Sequence, residues 1–391
     1  MLAACAVEPA PNTQTAQSKN AIIAGSDSDD SQNAVIGLIF YDPASGEVGE
    51  CTGTMIAPNL VLTARHCVSR TDEGASCKPD GTPLGGGKVY EDRKATSLYV
   101  FVGKDRPKFQ GGFKPNGQGS KIITDGSKTL CSHDVALVVL QAPIEDVPIA
   151  PIRLDNPPAA DEEFTAVGWG ITEKTQEPQV RQQRDLKVSM VGPAAEAVGI
   201  SASEFETGEG ICSGDSGGPA LAKTGAVIGI VSRGGNGTQG SNPAAGCIGA
   251  NTRNIFSFPA AFKDLILQGF EAAGAEPTPE PAATGGTCKA DTECVSKACL
   301  TVGDKKQCAP SDCKTEGCPA GFTCKEADSK STCEANPTTT KKDDSNGANQ
   351  TTTSGCTVGS LRTPGRASAS LVGLLCVGVA FGIRRRNRSA R

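Results

Sequence analysis

Seventeen cysteines in 391 residues constrain this chain more than any other feature. None lies in a C-x-x-C pair, and neighbouring cysteines have at least four residues between them. Zinc knuckles and ribbons, which need closely spaced thiolate pairs, are therefore disfavoured. A set of this size reads as a disulfide framework made in an oxidising compartment. The odd total leaves at least one cysteine unpaired, and the chain ends offer Cys5, Cys356 and Cys376. Neither a metal nor a cofactor is expected.

Eight of the cysteines crowd into residues 288–333. The first four have intervening gaps of 5, 4 and 8 residues, the last four gaps of 4, 5 and 8. That is a near-repeat of two small units. A segment this short, with few large apolar side chains, needs crosslinks to stand. Four disulfides are expected, with connectivity open. Low-complexity stretches flank it. Residues 274–287 are rich in Pro, Thr and Gly, and residues 334–355 in Thr and Asn. Neither carries enough apolar surface to order itself. Before them lies a globular region of about 250 residues, the length of a large all-β domain. With 47 glycines and 25 prolines, the chain is too heavily punctuated for a helical bundle. Short β-rich runs such as Val35–Phe40, Leu60–Leu62, Leu98–Val102, Val135–Leu140 and Ala226–Val231 predict strands. Residues 259–270 predict one helix, with Phe262, Leu265 and Ile266 on one face and Pro259 in the first turn.

The net charge is −5, but seven arginines and no acid occupy the last 31 residues, so residues 1–360 carry −12. No basic face is left for nucleic acid. At the N-terminus, Leu2-Ala3-Ala4-Cys5 resembles a bacterial lipobox, which would lipidate Cys5. At the C-terminus, the uncharged residues 367–383 are at the lower length limit for a bilayer span and end in Arg384, Arg385, Arg386 and Arg388. With Cys356 upstream, this resembles the MYXO-CTERM sorting tag of myxobacterial surface proteins. It implies export, retention in the membrane and processing near Cys356.

Only two histidines exist, His66 and His133. His66 lies in Leu62-Thr63-Ala64-Arg65-His66-Cys67, Asp134 in His133-Asp134-Val135-Ala136-Leu137, and Ser216 in Gly214-Asp215-Ser216-Gly217-Gly218-Pro219. These three blocks, in this order, resemble the chymotrypsin/trypsin family of serine peptidases over roughly residues 22–270. The resemblance implies an all-β fold of two six-stranded antiparallel barrels with a short C-terminal helix, followed by the small disulfide-rich module. It also implies the family's triad chemistry. A serine hydroxyl is a weak nucleophile and needs a base, so Ser216 attacks and His66 takes its proton. Asp134 orients the imidazole, and the N–H groups of Gly214 and Ser216 form the oxyanion hole. His133 lacks the flanking block and reads as a surface residue.

By the same resemblance Cys51 pairs with Cys67 and Cys212 with Cys247. Cys77 and Cys131, which bound a long insertion between His66 and Asp134, form a third pair. The specificity pocket is expected from Gly210, Ile211, Ser232, Arg233, Gly234 and Gly249. Gly210 stands where trypsin-like members carry an aspartate, so an uncharged, small to medium apolar substrate residue is expected. Arg233, in place of an aromatic, raises acidic residues as the alternative. Activation would free the amine of Ile22 to pair with Asp215. Ala21 offers no trypsin-type cleavage signal, which leaves Lys104 as another candidate cation. Arg65 replaces a small residue.

The resulting organisation is a pro or lipobox segment 1–21, a protease domain 22–273, a linker 274–287, an eight-cysteine module 288–333, a second linker 334–355 and a sorting tag 356–391. The expected function is a monomeric, exported serine endopeptidase acting on polypeptides, at the cell surface or outer membrane or released. The competing class is a catalytically silent, protease-like binding domain displayed on a cysteine-rich stalk.

Overall fold

The computed structural model describes residues 22–336, apart from 73, 108–111, 195–198, 239–241 and 328–329. Cys5, Cys356, Cys376 and the apolar stretch 367–383 lie outside the described residues. No helix among those described is long and apolar enough to cross a membrane.

The first barrel is closed. Its strands run in the order Gly117–Ile123, Ala136–Leu140, Leu60–Thr63, Glu47–Ala57, Val35–Asp42 and Leu98–Phe101, and the last pairs back to the first. Closure leaves no unpaired edge. The interior is filled from several of these strands by Ile36, Leu38, Met55, Leu60, Leu62 and Val138, all essentially inaccessible to water.

The second sheet has eight strands: Ser26–Asp27, Gln182–Lys187, Glu163–Gly168, Pro219–Ala222, Val227–Gly235, Arg253–Ser257, Glu204–Thr207 and Met190–Val191. It stays an open, half-closed barrel in which six longer strands lie between two of only two residues. The chain itself makes the turn between its edges. It leaves one side at Lys187 and joins the other at Met190, with Ser189 N–H donating to Glu206 O. Phe164, Phe205 and Phe256 fill the interior, their ring centroids 4.9–5.7 Å apart.

The predicted helix forms with a later start. Pro259–Phe262 is a 3-10 turn, and the α-helix proper is Lys263–Ala273. Leu265, Ile266 and Phe270 pack on the first barrel, so the chain end of the second barrel clamps the first.

The stretch 274–287 departs from expectation because it is ordered against the barrels. Ile152 N–H donates to Thr278 O, and Arg153 forks onto both oxygens of Glu280 at 2.5 and 2.7 Å. Thr224 Oγ1 also donates to Glu280 at 2.7 Å. A chain that cannot bury enough surface alone borrows partners from a folded neighbour.

In the module, Cys288 bonds Cys299, Cys294 bonds Cys308, Cys313 bonds Cys324 and Cys318 bonds Cys333. Each half is thus linked first-to-third and second-to-fourth. Each half also contains a hairpin, Cys299–Val302 with Lys305–Cys308 and Phe322–Ala327 with Lys330–Ala335. Cys299 stands opposite Cys308, and Cys324 opposite Cys333. The repeated gap of eight is the hairpin, and its two cysteines each reach back to a cysteine in the segment before it.

Candidate active site

Strand register brings His66 and Asp134 together. Thr63 pairs with Ala136 across two antiparallel strands. His66 lies three residues past Thr63, and Asp134 two before Ala136, so both leave the same end of that ladder. The chain turns into the short helix Arg65–Val68, and His66 N–H donates to Asp134 Oδ1 at 3.0 Å. His66 Nδ1 lies 2.9 Å from Oδ2 and 3.1 Å from Oδ1 of Asp134. Ser232 Oγ donates to Oδ2 at 2.6 Å, so this residue, expected in the specificity pocket, braces the buried carboxylate.

Burial pushes the Asp134 carboxyl up, but the His66 charge and the hydrogen bonds from His66 and Ser232 together hold it below the usual carboxylate range. Burial pulls the His66 imidazole down. The charge and hydrogen bond of Asp134 outweigh it, and His66 titrates above its ordinary value.

Ser216 sits on a turn gripped by the first barrel. Thr52 N–H donates to Ser216 O at 2.8 Å, and Thr52 Oγ1 donates to Gly214 O at 2.9 Å. Gly217 has φ +77°, and a Cβ there would stand 2.1 Å from Thr63 Oγ1. Only glycine lets the serine turn approach the strand that leads to His66. Gly214, at φ +101°, needs the same freedom. Among the described residues no hydrogen bond joins Ser216 Oγ to the His66 ring.

Asp215 is fully buried. Its carboxylate accepts N–H groups of Gly170 and Cys212 at 2.7 and 3.0 Å and has no cationic partner among the described residues. Burial pushes its pKa up to about 7, against the partial relief of those two donors. Ile22 is buried in the second barrel's core. Lys104, the other candidate cation, instead faces Asp30 at 3.5 Å.

The remaining expected pocket residues take varied places. Arg233 donates to both oxygens of the wholly buried Glu204, at 2.6 and 3.0 Å. Ile211 is buried in the second barrel's core. A Cβ on Gly210 would meet Leu186 Cδ1 at 2.6 Å, and one on Gly234 would meet Asn254 Oδ1 at 2.1 Å. Leu186 and Asn254 therefore fill the space those glycines leave. Gly249 N–H donates to Glu209 at 2.6 Å. Leu186, Asn254 and Glu204 carry no motif in the sequence; their roles arise from strands that are distant along the chain. His133 lies half-exposed, its Nδ1 2.5 Å from Asp125 Oδ2.

The disulfides Cys51–Cys67, Cys77–Cys131 and Cys212–Cys247 form as expected. The first holds the His66 loop and the third the serine loop. Cys51, Cys67 and His66 are close enough to ligate a metal, as are two cysteine groups of the module, but all these sulfurs are spent in disulfides.

The trypsin family model matches residues 42–252, slightly more than half of the chain. This chain belongs to the trypsin family. The protease is 26% identical to a trypsin of Saccharopolyspora erythraea over 56% of its own length and 86% of the relative's. It is 28% identical to the snake venom serine protease Haly-2 of Gloydius brevicauda, over 56% of itself and 79% of that protein. With the thrombin-like enzyme elegaxobin-1 of Protobothrops elegans it shares 26% identity over 55% and 85% of the two chains. The fold is chymotrypsin-like, and the relatives support a serine protease, a hydrolase that takes polypeptides.

Proposed function

We propose that the protease is an endopeptidase that cleaves peptide bonds through an acyl-enzyme on Ser216. The observation that carries this reading is the Asp134 carboxylate, buried and held by three donors, with two of its contacts on the imidazole of His66. Asp134 keeps the His66 proton on Nδ1, leaving Nε2 to take the Ser216 proton and return it to the leaving amine. The N–H groups of Gly214 and Ser216 would receive the oxyanion, each such donor worth about 2.7–4 kcal/mol.

Gly210 in place of an aspartate puts no carboxylate at the expected pocket floor, which supports cleavage after an uncharged residue. The Arg233 guanidinium is occupied by Glu204. The unpaired Asp215 supports activation by a cut before Ile22, whose freed ammonium would neutralise that carboxylate. Seven disulfides among the described residues support an oxidising, extracytoplasmic compartment. The anchoring of the chain through residues 356–391 or Cys5 belongs to the same proposal.

A fluorophosphonate probe tests the assignment. Covalent label on Ser216 in the form that begins at Ile22 is expected. Absence of label in that form would turn the reading toward a silent binding domain.

A further inference from the structure

The residues immediately before the two members of the catalytic pair are Arg65 and His133, and one carboxylate joins them. Asp125 Oδ1 accepts from Arg65 Nη1 at 3.3 Å, and Asp125 Oδ2 lies 2.5 Å from His133 Nδ1. Ser127 N–H adds a third bond to Asp125, to Oδ1 at 3.0 Å. Arg65 is almost wholly buried, with 2% of its side chain exposed. Its Nε donates to Ser69 Oγ at 3.0 Å and its Nη2 to Asp92 Oδ1 at 2.9 Å. Ser69 Oγ in turn donates to Asp92 Oδ1 at 2.7 Å.

We propose that Asp125 and Arg65 are positioning residues that set the His66–Asp134 geometry, Asp125 tying the segment that carries His66 to the segment that carries Asp134. This rests on the peptidase reading given above.

Three physical points support it. First, a buried guanidinium is retained only with its partners, because an unpaired buried charge costs several kcal/mol. Here the partners come from three segments: Ser69 directly after the His66 helix, Asp92 at the end of the strand Val89–Asp92, and Asp125 in the turn after Gly117–Ile123. Second, Asp125 uses different oxygens for its two side-chain partners, so its plane fixes their separation. Burial pushes the Asp125 carboxyl up, yet the bonds from His133 and Ser127 and the charges of His133 and Arg65 hold it below the carboxylate range. Third, the Asp125 bond holds His133 above the ordinary imidazole value against burial. The other charges acting on that ring are Arg65 and Glu204, and Glu204 is already neutralised by Arg233.

The family's chemistry does not require the arrangement, since an arginine before the histidine departs from its usual small residue. A purely architectural role would lower the fraction of folded enzyme without altering the turnover or titration of each folded molecule. A positioning role changes both.

The experiment uses the full chain activated at Ile22, with active sites counted by fluorophosphonate label so that misfolded molecules drop out. Rates on a peptide ester are measured per labelled site from pH 5 to 9 for wild type, Asp125→Asn, Arg65→Ala and Arg65→Lys. Asp125→Asn is expected to lower kcat about tenfold with KM within about twofold. It loosens the Asp134 contact that holds His66 above its ordinary value, so the acid limb of kcat/KM should move down by about half a pH unit. Arg65→Ala cuts the same tie from its other end and should move the limb the same way. Arg65→Lys keeps the charge without the fork, so its kcat and acid limb should fall between those of wild type and Arg65→Ala. If Asp125→Asn retains wild-type kcat and an unmoved acid limb per labelled site, the proposal is overturned even if Arg65→Ala fails to fold. If wild type takes no label, the peptidase reading fails first, and the positioning role with it.

Discussion

The first barrel and the cysteine module hold their shapes by opposite means. The barrel closes six strands around a continuous apolar interior, and its disulfide Cys51–Cys67 lies beside that interior without replacing it. In the module, the buried cluster consists of Cys288, Cys294 and Cys308, with only Ala282 and Cys299 packed against it. Crosslinks there are the core. The comparison teaches that a compact fold needs either apolar area removed from water or an unfolded state short of freedom. A segment too short for the first takes the second.

If catalysis lies wholly in the barrels, one substitution should separate the regions most sharply. Ser216→Ala should reduce turnover on the order of 10⁶-fold, by comparison with subtilisin. The melting of both regions should be unchanged in calorimetry. A mutant that still turns over peptide would break the comparison at its root.

Reduction comes next. Loops of 11–15 residues close the four module disulfides, and each is worth about 3 kcal/mol in the chain-entropy account. Under dithiothreitol at neutral pH, amides of 288–333 should lose all hydrogen-exchange protection. The strands of the first barrel should retain theirs. Equal loss in both would show that the barrel also depends on its crosslinks.

The third prediction turns on pH. Folded Asp215 titrates near 7, while an unfolded aspartate ionises near 3.9. The unfolded state therefore sheds its proton first, and stability falls as pH rises between about 4 and 7. With residues before Ile22 still attached, Asp215→Asn should be a few kcal/mol more favourable to stability at pH 8 than at pH 4, where its one effect is to leave one of the two N–H donors without an acceptor. Once Ile22 is freed, the ammonium should compensate the charge and the substitution should become harmful. A precursor equally stable at both pH values, with no gain from the substitution, would show that Asp215 is already neutralised.

The smallest effect lies at the join between the regions. Arg153→Ala removes the fork that holds Glu280 and should cost about 1–2 kcal/mol in urea unfolding. Exchange should rise at residues 275–282, and kcat should stay as it was. Unaltered exchange there would mean that Ile152 and Thr224 suffice to dock the stretch.

Much of this protein is legible without coordinates. His66, Asp134 and Ser216 announce themselves because their blocks are short, contiguous and chemically demanding. The disulfides Cys51–Cys67 and Cys212–Cys247 follow from the same resemblance, and Cys77–Cys131 from the two cysteines left over around the insertion. The even gaps of the module show a duplicated unit, since two crosslinked hairpins need equal spans of chain. The strand runs are visible because residues buried on both faces leave unbroken apolar stretches. Other features depend on which strands meet. Glu204 looks like any surface acid until strand pairing and the Arg233 fork bury it 29 residues before its partner. Ser232 shows its hold on Asp134 only across 98 residues, Asn254 meets the Gly234 wall only through the ladder between their strands, and Asp125 joins Arg65 to His133 only once three segments converge. The stretch 274–287 reads as unstructured because it lacks a core of its own, and it becomes ordered because the folded surface supplies Arg153. Local chemistry is written in adjacent residues. The pairing of a buried charge and the docking of a polar strap are long-range, since the energy that decides them exists only where distant parts of the chain exclude water together.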